Sequence, residues 1–244
     1  MYIDRKWLFI IMGILLIGGI ISLSQARILS LILTLPGLLI AITFHEYAHA
    51  YAAVKLGDDT PRIQGRLSLN PLTHLDPVGS VLLLFTGIGW GKPVQINPRN
   101  FDRKVTMEQG EAIVSVAGPL TNIVLAFILT VIYFFLGKYM AAWLFTTQIG
   151  ILVNTLIQAA IFTNIGLGVF NLIPLPPLDG SKIFINFMPY NARRWIQEHE
   201  QIFYIVFLVI WFTGMASFII SPIIDGISSG IFWLVSKIFS FRII

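Results

Sequence analysis

The stretch ILSLILTLPGLLIAITFHEYAHAYAAV, residues 28–54, decides how the rest of the chain reads. It is longer than the roughly 20 apolar residues a helix needs to cross a bilayer. Its only helix-breaking pair is Pro36-Gly37. Towards its C-terminal end it carries His45, Glu46 and His49. Ionisable groups inside an apolar helix are expensive unless they face a cavity, a partner or a ligand. The stretch therefore predicts a membrane helix with a reason to hold three such groups.

Moving outward, the whole chain has the same character. Of its 244 residues, 56% are hydrophobic and 11% are charged, with a mean hydropathy of +0.82. Soluble domains carry about 25% charged residues, and disordered chains combine low hydrophobicity with high charge. Both classes are excluded. The expected architecture is an all-α polytopic membrane protein forming a single membrane-embedded domain. Apolar runs at 7–23, 28–54, 112–136, 141–173, 202–220 and 223–239 predict about six transmembrane helices, the last two divided at Ser221-Pro222. The run 7–23 reads as a retained helix; the alternative is a cleaved signal peptide, because Ser24-Gln25-Ala26 loosely resembles a cleavage site.

The chain has no cysteine, so thiolate metal sites and disulfides are ruled out. Its net charge is +4. The basic residues are scattered between apolar runs rather than clustered on one face, which excludes nucleic acid as a partner. They read as topology signals instead. With six spans, only Arg27 and Lys138 fall on one side, and all other lysines and arginines fall on the opposite side. The positive-inside rule then puts both termini, the 55–110 segment and the 174–200 segment on the cytoplasmic side of a cell membrane.

Between the second and third spans, RLSLN (66–70) and KPVQIN (92–97) alternate polar and apolar residues, the period of a strand. They predict a small membrane-associated β segment at about 61–100. The apolar stretch 80–90 between them is too short to cross. It fits either a re-entrant or interfacial hairpin kept near the membrane by Trp90, or a short surface helix.

The chemistry lies in FHEYAHA (44–50). His45 and His49 are four apart, so their rings project from one helix face and can share a metal ion. Glu46 is offset around the helix and placed to reach a water rather than the metal. A hydrolytic zinc site takes three protein ligands and keeps an open position, so one ligand is missing. His199 lies in a polar stretch and reads as solvated, whereas His74 and Asp76 sit in the turn-rich NPLTHLDP (70–77). Asp179 closes NLIPLPPLDG (171–180), whose three prolines stop the helix and hold the chain extended beside the membrane. A carboxylate in such apolar surroundings has a cation as its natural partner, which favours Asp179 over His74.

Four motifs in this order, FHEYAHA (44–50), GRLSLNPLTHLDPVG (65–79), AGPLTN (117–122) and NLIPLPPLDG (171–180), resemble the site-2 protease family of intramembrane zinc metalloproteases. The likeness is to the compact bacterial form without a PDZ or CBS domain. It implies that His45, His49 and Asp179 bind one zinc ion per chain and that Glu46 acts on the water as general base. It also implies that Asn171 contacts the substrate backbone, and that a strand within 61–100 clamps an unwound substrate. The expected reaction is hydrolysis of peptide bonds in or near transmembrane segments of membrane-protein substrates within the lipid bilayer.

Read from the residues alone, Asn171 fits an interhelical hydrogen bond equally well, given Asn154, Gln158 and Asn164 nearby in sequence. Asn122 reads as an interhelical bridge. The competing functional class is a non-catalytic membrane zinc-binding protein, a transporter or an assembly factor, using the same ligands. A transport path needs ionisable groups along several spans, whereas the acids in the better-defined spans are Glu46 and, at an entrance, Glu111.

Overall fold

A backbone in hydrocarbon must satisfy its own hydrogen bonds, so apolar runs of this length fold as helices. The computed structural model describes Gly13, residues 24–86 and residues 89–239, and its regular structure is helical. We number the helices α1 (Gln25–Lys55), α2 (Thr60–Ile63), α3 (Pro77–Thr86), α4 (Met107–Tyr139), α5 (Ala141–Thr146), α6 (Gln148–Asn171), α7 (Asp179–Asn186), α8 (Tyr190–Glu198), α9 (Glu200–Phe212) and α10 (Met215–Ile238). Single 3-10 turns lie at Pro71–Thr73 and Pro98–Asn100. Among the described residues, four helices are long and apolar enough to cross a membrane: the Ile28–Lys55 part of α1, α4, α6 and α10.

Helices α1, α4 and α6 pack against one another and form the body that carries the site. Lipid tails are as apolar as leucine, so membrane helices associate through close packing and polar bridges rather than hydrophobic expulsion. Both devices are present. A Cβ on Gly37 would lie 2.7 Å from the Ala160 Cα, so the backbones of α1 and α6 touch there. A Cβ on Gly168 would sit 3.0 Å from the Pro119 carbonyl, which brings α6 equally close to α4. Ala126, Ile161, Ile165, Val169, Ala216 and Ile220 form the buried core between α4, α6 and α10. Helix α4 starts at a capping box, in which the Thr106 hydroxyl accepts from Gln109 N–H and the Gln109 side chain accepts from Thr106 N–H.

Several expectations change. The run 7–23 lies outside the described residues apart from Gly13. The run 141–173 is two helices, because Thr147 leaves α5 and caps α6 by accepting from Gly150 N–H at 3.0 Å. The last two apolar runs divide at Gly214, in left-handed conformation with φ +76°, and Pro222 lies inside α10. Proline is tolerated there because neighbouring groups in a membrane helix bundle re-satisfy the freed carbonyl. Helix α9, with 13 residues, is therefore only about 20 Å long and falls short of the roughly 30 Å hydrocarbon core.

That break reverses the C-terminal end. Lys138, at the end of α4, donates to the Phe239 carbonyl just past α10 at 3.0 Å, so the two helix ends lie together. Ile224 packs near Gly166 and Phe232 against Phe162, which runs α10 antiparallel to α6. Lys237 thus lies on the side of Lys138, opposite Lys55 and the start of α4, and not with them. Helix α10 also carries Asp225, an acid within a crossing helix in addition to Glu46 and Glu111.

No strand forms among the described residues of the 61–100 segment. Its pairing is one isolated antiparallel bridge, Leu75 with Gly91, in which Lys92 N–H donates to the His74 carbonyl at 2.7 Å. Residues 92–97 nevertheless use their alternation: Val94 and Ile96 are half-buried, while Pro93, Gln95 and Asn97 are exposed. Ile96 packs on the small core of Ala53, Phe101 and Val114. The Ser80–Trp90 stretch opens as helix α3, capped by Asp76, whose carboxylate accepts from Gly79 N–H at 2.8 Å. The chain then returns to close at the Leu75–Gly91 bridge.

Candidate metal centre

Helix α1 presents His45 and His49 on one face, both buried. The third group comes from the far end of the chain. Helix α6 ends at Asn171, the proline-rich turn follows, and Asp179 opens α7. Gly180 makes this return possible, because any Cβ there would collide with the carbonyl oxygens of Leu172 and Ile173. The result brings His45 Nε2, His49 Nε2 and Asp179 Oδ2 to 3.0–3.1 Å from one another.

The protons on the two rings follow from their outer partners. Asn122 Nδ2 donates to the Ala41 carbonyl and to Asn164 Oδ1, both at 3.0 Å, which leaves its Oδ1 facing His45 Nδ1 at 2.7 Å. His49 Nδ1 lies 2.7 Å from the Val114 carbonyl. Each Nδ1 must donate, so in the neutral rings each Nε2 is a bare lone pair. Two imidazole lone pairs and a carboxylate oxygen therefore converge with no proton to share between them. Such a donor set fits a cation. Zinc bonds of about 2.0–2.1 Å arranged tetrahedrally hold their ligand atoms about 3.3 Å apart, close to the spacing here.

Glu46 is not one of the three converging groups. Its Oε2 accepts from the Val94 backbone N–H at 2.9 Å, which ties it to the 92–97 stretch. Asn171 is half-buried, and its amide donates to the Leu167 carbonyl one turn back at 3.0 Å; none of its hydrogen bonds joins the cluster. The residues set aside in sequence have structural roles. His74 is fully buried with Nε2 on the Ser68 carbonyl at 2.7 Å. Asp76 caps α3. His199 stacks on Trp195, ring centroids 4.7 Å apart.

Two contributors to the metal centre were not read as such from sequence: Gly118, and Asn122 beyond its bridging role. Asn122 is more than an interhelical bridge, because it also sets the tautomer of His45. Gly118 leaves the room for both rings: a Cβ there would overlap His49 Nε2 and lie 2.8 Å from His45 Cε1. Their signal is the spacing in AGPLTN, which puts Gly118 and Asn122 one turn apart on the same face of α4.

A buried site of two histidines and a carboxylate, carried on apolar helices and with a glutamate beside the first histidine, defines the class of membrane metallohydrolases. The chain belongs to peptidase family M50, which matches residues 33–214, and is a zinc metalloprotease. It is 40% identical over 205 residues to the "Putative zinc metalloprotease YwhC" of Bacillus subtilis (strain 168), covering 83% of this chain and 90% of that one. It is 30% identical over 193 residues to the "Putative zinc metalloprotease Rip2" of Mycolicibacterium smegmatis, covering 75% and 67%. The Mycobacterium tuberculosis (strain H37Rv) protein of that name is 26% identical over 210 residues, covering 83% and 73%. No solved structure matches the chain at a significant level.

Proposed function

We propose that this protein hydrolyses peptide bonds in or near the transmembrane segments of other membrane proteins, with His45, His49 and Asp179 as metal ligands and Glu46 as general base. One observation carries the reading. Two of the three converging ligands, His45 and His49, lie within the part of α1 that is long and apolar enough to cross a membrane, with a glutamate on the adjoining residue and Asp179 brought against them from α7. His45 is ten residues before Lys55, so the site lies about 15 Å from that end of the helix. It is within the depth of the peptide bonds of a membrane-spanning substrate.

Zinc bound there supplies a water acidic enough to react near neutral pH and a Lewis acid for the carbonyl oxygen. Glu46 takes the proton released as the water attacks the carbonyl carbon, and delivers it to the leaving amine as the C–N bond breaks. The proton count balances, and the glutamate ends as it began. Asn171, released from the Leu167 carbonyl, hydrogen-bonds the substrate backbone. A helical substrate hides its carbonyls in its own hydrogen bonds and must unwind first. The 66–70 and 92–97 stretches supply main-chain groups to receive the freed backbone.

Lys55, Lys92, Lys182, Arg193 and Arg194 lie towards the site-facing end of the bundle, which orients that end to the cytoplasm of a multi-pass protein in the cell membrane. Comparing membranes from cells expressing wild type with those expressing Glu46→Gln tests the reading. Transmembrane fragments should accumulate uncut in the variant while its zinc content stays at the wild-type level. Identical fragment patterns in the two strains would overturn it.

A further inference from the structure

Beyond the site, the most completely bonded carboxylate in the described residues is Asp58, which the chemistry above does not use. It is fully buried, three residues past the end of α1. Oδ1 accepts from Thr60 N–H at 3.1 Å, from the Thr60 hydroxyl at 2.5 Å and from Asn100 Nδ2 at 3.0 Å. Oδ2 accepts from Asn97 N–H at 2.6 Å. A carboxylate with four donors and no cation is held by dipoles alone. Burial tends to raise its pKa, but these bonds outweigh burial and hold it below the ordinary carboxylate value.

Asp58 and Glu46 act on the same strip of chain. Glu46 takes the N–H of Val94 and Asp58 takes the N–H of Asn97, three residues further on. One helix and its C-terminal turn thus hold the 92–97 stretch at two points. The neighbouring turn is locked to α1 as well, since Asp102 N–H donates to the Leu56 carbonyl at 2.6 Å. Register matters here because of Pro93. Proline has no N–H, so a slip that brought residue 93 opposite Glu46 would leave its carboxylate without a donor. A slip the other way would turn Gln95 inward in place of Val94.

We propose that Asp58 is a positioning residue for the reaction: by holding Asn97 N–H it fixes the register of the 92–97 stretch, so that Val94 N–H orients the Glu46 carboxylate. With Oε2 engaged by Val94, Oε1 is the oxygen turned to the water. The inference rests on the role given to Glu46 above. It adds a residue outside the membrane-embedded cluster, with no contact to the metal ligands, whose loss spares metal binding and slows the chemical step. A displacement of about 1 Å at a catalytic group can cost about a hundredfold in rate.

The test uses the full chain in lipid nanodiscs, with a reporter protein whose single transmembrane helix carries an Asn-Pro pair in its cytoplasmic third. Asp58→Ala should lower kcat about tenfold or more, with KM within about threefold of wild type and zinc content unchanged. Asp58→Asn keeps the side-chain volume and one acceptor oxygen, and should recover part of the loss. Hydrogen exchange gives a readout that needs no substrate. Exchange of amides 94–97 should rise in both Asp58 variants and stay at wild-type rates across 44–50, whereas Glu46→Ala should release the Val94 amide but not that of Asn97. Wild-type kcat in Asp58→Ala, loss of zinc in Asp58→Asn, or unchanged exchange at Val94 in both Asp58 variants would each overturn the proposal. Failure of the Glu46 reading is a separate result: Glu46→Gln would then cut the reporter as fast as wild type.

Discussion

Asn122 Oδ1 lies 2.7 Å from His45 Nδ1, and the amide can face no other way, because its nitrogen is committed to the Ala41 carbonyl and Asn164 Oδ1. One fully buried side chain on α4 thereby joins three helices and dictates which nitrogen of His45 is free. Outer partners of metal-bound histidines typically contribute about 10–100-fold in metal affinity. Asn122→Ala is expected to weaken zinc binding by that factor while leaving a helical, membrane-inserted protein. Competition with a chelator of known affinity measures it. An unchanged zinc affinity would show that Asn122 serves packing alone.

Gly118 gives a sharper steric prediction. A methyl group there has to displace the imidazoles of His49 and His45, and neither ring can move without abandoning its Nδ1 partner. Gly118→Ala should therefore lose zinc and activity together. Gly137 is the matched control on the same helix, because a Cβ there would meet nothing within 4 Å. Gly137→Ala should keep zinc, since alanine is the better helix former by about 1 kcal/mol. Metal analysis of the two purified variants decides it, and equal zinc in both would sink the steric account.

These two positions also show where sequence reading stops. His45, His49 and Asp179 were legible because ionisable groups stand out against an apolar chain, and because prolines mark the turn that returns Asp179 to the membrane. Asn122 reads as a bridge between helices on the same grounds, and only the direction of its amide separates that from a role at the metal. The division of the C-terminal run falls elsewhere than expected for a related reason. Pro222 and Gly214 both break helices, yet a bilayer tolerates proline within a span, while the left-handed backbone of Gly214 cannot belong to one. The 61–100 segment carries a strand's alternation, but in 92–97 the Val94 and Asn97 amides are taken by side chains of α1 and its turn rather than by a partner strand.

The Asp58 knot makes stability depend on pH in a defined direction. Its folded-state pKa lies below the ordinary 3.8, because the Thr60, Asn97 and Asn100 bonds outweigh burial. A depressed carboxylate contributes stability that is complete above the unfolded value and is lost as the pH falls through the folded one. Asp58→Asn cannot titrate. The gap in thermal midpoint between wild type and this variant should stay constant from about pH 5 to about pH 8 and close below about pH 4. A gap that widened between pH 5 and pH 8 would assign it to another group.

The C-terminal arrangement can be checked with little disturbance, because the chain has no cysteine and any introduced thiol is the sole one. Lys138 bonded to the Phe239 carbonyl places the end of α10 beside the end of α4. Arg103, just before α4, lies at the other end of that helix, about 50 Å away along its 33 residues. Single-cysteine variants Arg103→Cys and Lys237→Cys should then react with a membrane-impermeant maleimide from opposite sides in sealed vesicles. The even number of crossings read from sequence would instead put both on one side. Labelling of both from the same face would mean that α9 and the chain before α10 complete a crossing, and that the Lys138–Phe239 contact does not form in the membrane. Opposite labelling leaves α9 on the face that carries Arg193 and Arg194. There the Arg193–Glu108 ion pair, at 2.8 Å, ties the amphipathic α8 to the start of α4, so that α8 borders the same end of the bundle as Lys55.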